Sequence, residues 1–240
     1  MLLYLPIVCQ KYFDFITMQY TYHKNSGLDL LQIEAELHKY LFKIRRHNIE
    51  DTLYFRNLED DYLYGYKVQN IDRRKTSLTL ISSEIKLIEP KKELHIGWCK
   101  IDPKSVEKVI ASLNELGVTK LTFINCEFSQ GKYNINFEKL EKLLINSSQQ
   151  SGRSSIIKLN ECESLALFLE ENPNSYMFNF SQNLIDDHKD DIKTIVIGCE
   201  GGFSRTELEK INQNKIVGID SNLILRSETG VITVASKIVV

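Results

Sequence analysis

The residues best placed to do chemistry lie between Ile192 and Ser204, where an apolar run leads into Gly198-Cys199-Glu200-Gly201-Gly202 and then Phe203-Ser204. Glycines in such a turn let the backbone approach a ligand closely and adopt positive φ. Ser204, followed three residues later by Glu207, has the spacing of a helix-capping box. The segment therefore reads as a buried strand, a glycine-dense turn and a capped helix. Two readings stand at this point: a ligand-holding turn, or a tight strand-to-helix connection that holds nothing. A phosphate is a poor ligand in either case. The turn lacks the G-x-x-x-x-G-K-[ST] and G-x-G-x-x-G spacings that cradle phosphates, and Glu200 would repel one. No Ser-His-Asp or metal-ligand constellation points to a hydrolase.

The elements that must position this turn follow from hydrophobic periodicity. After Glu89-Pro90-Lys91-Lys92 short apolar strands alternate with amphipathic helices. Strands are predicted at Leu94–Trp98, Lys120–Asn125, Ser155–Leu159, Ser175–Phe180 and Ile192–Gly198. Helices are predicted at Pro103–Leu116, Phe137–Gln149, near Glu163–Glu171 and at Arg205–Gln213. This alternation predicts an α/β fold with a parallel sheet. Leu223–Val240 satisfies both a strand by propensity and a helix by the spacing of Leu225, Thr229, Ile232 and Ser236. Before residue 89 the pattern is mainly strand-like, with runs at Asp51–Arg56, Tyr62–Val68 and Lys75–Ile88. One helical stripe, Leu30, Leu37, Leu41 and Ile44, falls between Asp29 and Arg45. The expected domains are thus 18–88 and 89–240, with residues 1–17 an apolar extension that lacks the basic start of a secretory signal.

Composition narrows the classes. With 42% hydrophobic and 26% charged residues, the chain has an ordinary globular balance. No run approaches eighteen apolar residues, so no membrane span is expected. Cys9, Cys99, Cys126, Cys162 and Cys199 are odd in number and scattered, which suggests neither a disulfide framework nor a metal site and points to the reducing cytoplasm. The net charge of −2 makes any nucleic-acid surface local. Its candidate is the cationic run His38, Lys39, Lys43, Arg45, Arg46, His47, which reads equally as a solvated helix face.

Taken together, several segments resemble the RsmE type of SPOUT RNA methyltransferases. Ile197-Gly-Cys-Glu-Gly-Gly-Phe-Ser204 is similar to that family's Ile-Gly-Pro-Glu-Gly-Gly motif. Val217-Gly218 and Asn222-Leu-Ile-Leu-Arg-Ser-Glu-Thr-Gly230 resemble its Leu-Gly and Ile-Leu-Arg-x-Glu-Thr-Ala segments. Lys108 with Glu115-Leu-Gly-Val118, Asn146–Arg153 and Leu37–Arg45 match further family segments in the same order. Four positions depart from the family: Cys199 for Pro, Phe128 for Arg, Gly230 for Ala, and Gln149 where an acid is common.

The resemblance implies a PUA-like β-barrel RNA-binding domain, then a SPOUT α/β domain with a C-terminal trefoil knot whose last segment is helical. It implies a homodimer that uses S-adenosylmethionine to methylate N3 of one uridine of 16S rRNA in the small ribosomal subunit, with no metal. The alternatives are a SPOUT enzyme acting on another RNA and a non-catalytic RNA-binding assembly factor. The implied cofactor residues are Phe178, Asn179, Ile197, Gly198, Glu200, Gly201, Gly202, Val217, Gly218, Asn222, Leu223, Ile224 and Leu225. A neutral adenine and a sulfonium suit backbone groups and apolar walls better than a phosphate cradle does. Catalysis would fall to Arg226, Glu228 and Glu200, with Arg226 facing the uracil oxygens and a glutamate orienting it or taking the proton. RNA would be gripped by Lys39, Lys43, Arg45 and Arg46, with Gln150 and Arg153 at a helix end.

Overall fold

In a computed structural model that describes residues 19–129 and 133–240, the chain forms two compact units. The expected extension 1–17 lies outside the described residues. Residues 19–88 belong to the first unit, which Ser148–Ser155 join; Glu89–Ser147 and Ile156–Val240 make the second.

The first unit is a five-stranded sheet. Its strands are β1 (Thr21–Tyr22), β2 (Leu30–Glu34), β3 (Thr52–Arg56), β4 (Tyr62–Ile71) and β5 (Lys75–Ile85), in the order β1-β3-β4-β5-β2. The pairings are antiparallel except that β1 runs parallel to β3. The helix expected from Asp29 starts later. Leu30–Glu34 alternates exposed and buried residues, the period of a strand, and α1 (Ala35–His38) begins only at Ala35, whose φ is 52°. The reason is burial: Leu31 and Ile33 face the core, whereas Leu30 and Ile44 of the apparent helical stripe are exposed. α1 widens into π-type turns over Lys39–Ile44, where the Arg45 amide donates to the Tyr40 carbonyl at 2.9 Å. Segment 148–155 completes this unit's hydrogen bonding. The Tyr20 hydroxyl donates to the Arg153 carbonyl at 2.7 Å, and the Ile88 amide to the Ser154 hydroxyl at 2.7 Å.

The second unit carries the predicted parallel sheet. Its strands are β6 (His95–Cys99), β7 (Lys120–Ile124), β8 (Lys158–Cys162), β9 (Tyr176–Phe178), β10 (Thr194–Ile197) and β11 (Ile216–Val217), in the order β11-β9-β10-β6-β7-β8. All five pairings are parallel, so every carboxyl end lies along one edge. The helices are α2 (Pro103–Leu116), α3 (Phe137–Ser151), α4 (Leu165–Glu171), α5 (Arg205–Leu208) and α6 (Ser227–Val239). Proline opens α2, and Gly117, at φ 103°, closes it. β8 starts three residues later than expected, because its register with β7 pairs Lys158 with Lys120 and leaves Ile157 in the core before the strand. α5 is shorter than expected, since Asn212 caps a separate 3-10 turn over Gln213–Lys215. The last segment is helical. Val231, Val234, Ala235 and Ile238 recur at helical spacing and are buried, so packing overrides strand propensity.

The structure also corrects the reading of the cysteines. Cys99 and Cys126 are joined by a disulfide, their Cα atoms 5.6 Å apart. They lie at the carboxyl ends of the neighbouring strands β6 and β7, a proximity that sequence spacing does not encode. Cys162 and Cys199 are free, and Cys9 lies outside the described residues.

Candidate active site

Ligands of open parallel sheets bind beyond the carboxyl ends of the strands. That edge carries the glycine turn. β10 ends at Ile197, and the chain folds back so that the Gly202 amide donates to the Cys199 carbonyl at 2.9 Å. Gly202 sits at φ 70°, a conformation that costs glycine nothing, and a Cβ there would meet open space. The turn is then locked into α5. The Glu207 amide donates to the Ser204 hydroxyl at 3.1 Å, and the Ser204 amide donates to Glu207 Oε2 at 2.9 Å. This is the capping box expected from the sequence. Glu207 is 3% exposed, and its other oxygen accepts the Glu127 amide at 2.9 Å. A buried carboxylate thus ties the turn after β7 to the turn after β10.

Beside the glycine turn is a cavity of about 480 Å³, within the range of small-molecule sites. Three segments wall it: 178–182, 197–203 and, apart from Asp220 and Asn222, 219–227, with Gly230 also in the lining. Among the residues implied by the resemblance, Phe178, Asn179, Ile197, Gly198, Glu200, Gly201, Gly202, Leu223, Ile224, Leu225 and Arg226 line it. Val217, Gly218, Asn222 and Glu228 do not. Val217 is fully buried, and its carbonyl accepts the Asn179 amide at 3.0 Å, so it braces the wall from behind. At Gly218 two chain segments cross. A Cβ there would fall 2.6 Å from the Ser181 carbonyl oxygen and 2.9 Å from its nitrogen. Glycine at 218 therefore serves that close approach. Asn222 is exposed, and Glu228 is half-buried in the first turn of α6.

Ser227 lines the cavity but carries no signal in the sequence. It is buried, accepts a hydrogen bond from the Trp98 indole at 2.8 Å and donates to the Gly198 carbonyl at 2.5 Å. It thereby joins the end of β6, the glycine turn and the start of α6. Its neighbour Arg226 occupies the N-cap position of α6, is exposed and lines the cavity. Arg226 forms no ion pair among the described residues, so its guanidinium fork remains available. Burial raises the Cys199 thiol above its ordinary value, which keeps it neutral. The cavity thus offers backbone groups, aromatic and aliphatic walls, one carboxylate at Glu200 and one guanidinium at Arg226.

In the first unit Lys39, Lys43, Arg45 and Arg46 are exposed. Arg45 donates to the Tyr40 hydroxyl at 2.9 Å and lies over its ring, while Lys39 reaches only 3.9 Å from Glu36. Gln150 is exposed as well. Arg153 is a correction: it is 6% exposed and donates to the Ser155 hydroxyl, so this structure gives it no open surface on which to meet RNA. Among the described residues no group of three His, Cys, Asp or Glu is placed to hold a metal ion. No described helix is long and apolar enough to cross a membrane.

Comparison with known proteins places these features in a family. Residues 89–239 match the family model of the RNA methyltransferase domain. The chain is 32% identical over 222 residues to the Ribosomal RNA small subunit methyltransferase E of Helicobacter pylori, covering 91% of this chain and 98% of that protein. It is 28% identical over 206 residues to the protein of the same name from Aquifex aeolicus, covering 81% and 88%. Among solved structures, a probable rRNA-methyltransferase from Porphyromonas gingivalis superposes with a TM-score of 0.75 at 18% identity, covering 90% of this chain and 95% of that one. A Ribosomal RNA small subunit methyltransferase E from Neisseria gonorrhoeae bound to S-adenosyl methionine gives 0.71 at 14% identity, covering 91% and 96%.

Proposed function

Because the chain belongs to the family of ribosomal RNA small subunit methyltransferase E, we propose that it methylates N3 of one uridine in the RNA of the small ribosomal subunit. It is an RNA methyltransferase, and its cofactor is S-adenosylmethionine. The observation that carries the reading is one cavity walled by the glycine turn 198–202 and by Leu223–Leu225, with Arg226 at its edge. The residues fit the cofactor. The open space where a Gly202 Cβ would stand, the backbone groups of both turns and the Phe178 and Phe203 rings suit an adenine better than any phosphate.

When bound there, the cofactor supplies an electrophilic methyl group. The protein must do the rest. The uracil N3–H has a pKa above neutrality, so its proton must be removed, and its loss spreads negative charge onto the two flanking carbonyl oxygens. Arg226 would stabilise that charge through its planar fork. Glu200, which lines the same cavity, is the candidate acceptor for the proton, and Glu228, in the first turn of α6, is the alternative. The first unit, read as a PUA-like module, would hold RNA backbone through Lys39, Lys43, Arg45 and Arg46. The strand order that puts β9 between β10 and β11, together with the crossing at Gly218, supports a trefoil knot. Phe180, Leu223 and Ile224 are 78%, 75% and 81% exposed at the cavity mouth, which supports a homodimer covering them.

The test uses small subunits from cells lacking this protein, incubated with the purified chain and S-adenosylmethionine. N3-methyluridine blocks base pairing, so one new reverse-transcription stop at a uridine is expected. Arg226→Lys should bind the cofactor within about twofold of wild type while transfer falls about a hundredfold. Cofactor binding without any stop would overturn the substrate, and loss of both would overturn the enzyme.

A further inference from the structure

Phe128 departs from the family pattern, and nothing in the proposed mechanism uses it. Phe128 is 52% exposed, yet the turn that carries it is held firmly. The Ser129 amide donates to the Cys126 carbonyl at 3.0 Å, and the Cys126 amide to the Ser129 hydroxyl at 3.3 Å. Buried Glu207 accepts the Glu127 amide, and the Thr206 hydroxyl donates to the Glu127 carboxylate at 2.5 Å. Phe128 is also packed directly on the cofactor turn. A Cβ at Gly201 would come within 2.9 Å of the Phe128 Cβ. The fold thus fixes the base of this side chain and leaves its ring open beside the cavity.

We propose that Phe128 is a stacking platform for one unpaired nucleobase of the substrate RNA, held at the cavity mouth beside the Glu200–Gly202 turn. The inference rests on the RNA methyltransferase reading above and adds a subsite to it. An aromatic face stacks on any base, and stacking is a main source of affinity for single strands. The surroundings favour a base over backbone. Glu127 and Glu200 lie beside the residues in contact and repel phosphate, whereas carboxylates accept hydrogen bonds from the N–H edges of bases. The ring stands outside the cavity wall, so it contributes to RNA affinity and leaves cofactor binding alone.

The experiment compares wild type with Phe128→Leu, which keeps apolar bulk without an aromatic face, and Phe128→Tyr, which keeps the face. Methyl transfer to unmethylated small subunits, cofactor affinity and particle mass are measured for each. The expected result is about a tenfold rise in KM for the subunit in Phe128→Leu, with kcat within about twofold. Cofactor affinity and mass should match wild type, and Phe128→Tyr should restore KM. A Leu variant with wild-type KM, weakened cofactor binding or altered mass overturns the stacking role, as does failure of Tyr to rescue. Absence of transfer by the wild type overturns the underlying reading and this subsite with it. Normal transfer by the Leu variant overturns the subsite alone.

Discussion

Ser227→Ala removes one oxygen that serves two partners, the buried Trp98 indole and the partly buried Gly198 carbonyl. The Trp98 indole N–H loses its acceptor at 2.8 Å, and the Gly198 carbonyl loses a donor at 2.5 Å. A net hydrogen bond contributes about 0.5–1.5 kcal/mol, and a buried group left unpaired costs about 1–3 kcal/mol. Trp98 is fully buried, so its indole N–H is cut off from bulk solvent. The expected loss in unfolding free energy is therefore about 2–4 kcal/mol. Part of that loss falls on the candidate cofactor cavity, because Gly198 lines it and the Ser227 hydroxyl joins the glycine turn to the Arg226 end of α6. Cofactor affinity should fall about tenfold. Trp98→Phe is the control: it removes the indole donor but leaves the bond from Ser227 to Gly198, so cofactor affinity should stay within about threefold while stability falls. Both variants are compared by urea unfolding and by calorimetric titration with S-adenosylmethionine. The chain has a single tryptophan, so its emission also reports the loss of the indole's partner. Wild-type cofactor affinity in Ser227→Ala would refute the claim that this hydroxyl holds the turn.

Other consequences are testable. Burial depresses His95 to about 4, so the unfolded chain takes up a proton first. Stability should then fall as pH drops from about 6.5 to about 4, by roughly 3 kcal/mol at most. His95→Gln should flatten that dependence in urea melts across this window, and an equal slope in both proteins would remove His95 as its source. Gly218→Ala forces a methyl against the Ser181 backbone and should cost about 1–3 kcal/mol or more in thermal unfolding. A change below about 0.5 kcal/mol would show that the crossing has room. Lys43→Gln and Arg45→Gln should each lower the slope of log affinity against log salt for RNA by about 0.7–0.9. An unchanged slope would place the RNA elsewhere.

The parts of the fold visible in the sequence were those decided locally. The boundaries of α2 follow from Pro103 and Gly117, and the capping box at Ser204 follows from Glu207 three residues later. The parallel sheet follows from strand–helix alternation. What stayed hidden depended on distant partners. The serine at 227 acquires its role from Trp98, 129 positions away, and no spacing rule connects them. Cys99 and Cys126 meet because the parallel register sets the ends of β6 and β7 side by side. Arg153 looked like a helix-end cation available to RNA, but its segment folds into the first unit, and the side chain goes inward. At Leu30 a helical spacing competed with strand alternation, and the burial of Leu31 and Ile33 decided for the strand.

The chain order of the first unit has a consequence for synthesis in the cell. Tyr20, Tyr22 and Ile88 take hydrogen-bond partners from Arg153, Gln149 and Ser154. When Ile88 leaves the ribosome, the segment that satisfies these groups has not yet been translated. At about 5–20 residues per second it follows several seconds later. The amino-terminal sheet therefore waits, incompletely bonded, while most of the strands that will carry the cavity beside the glycine turn are still being made, and a stop codon placed at residue 89 would truncate two folding units.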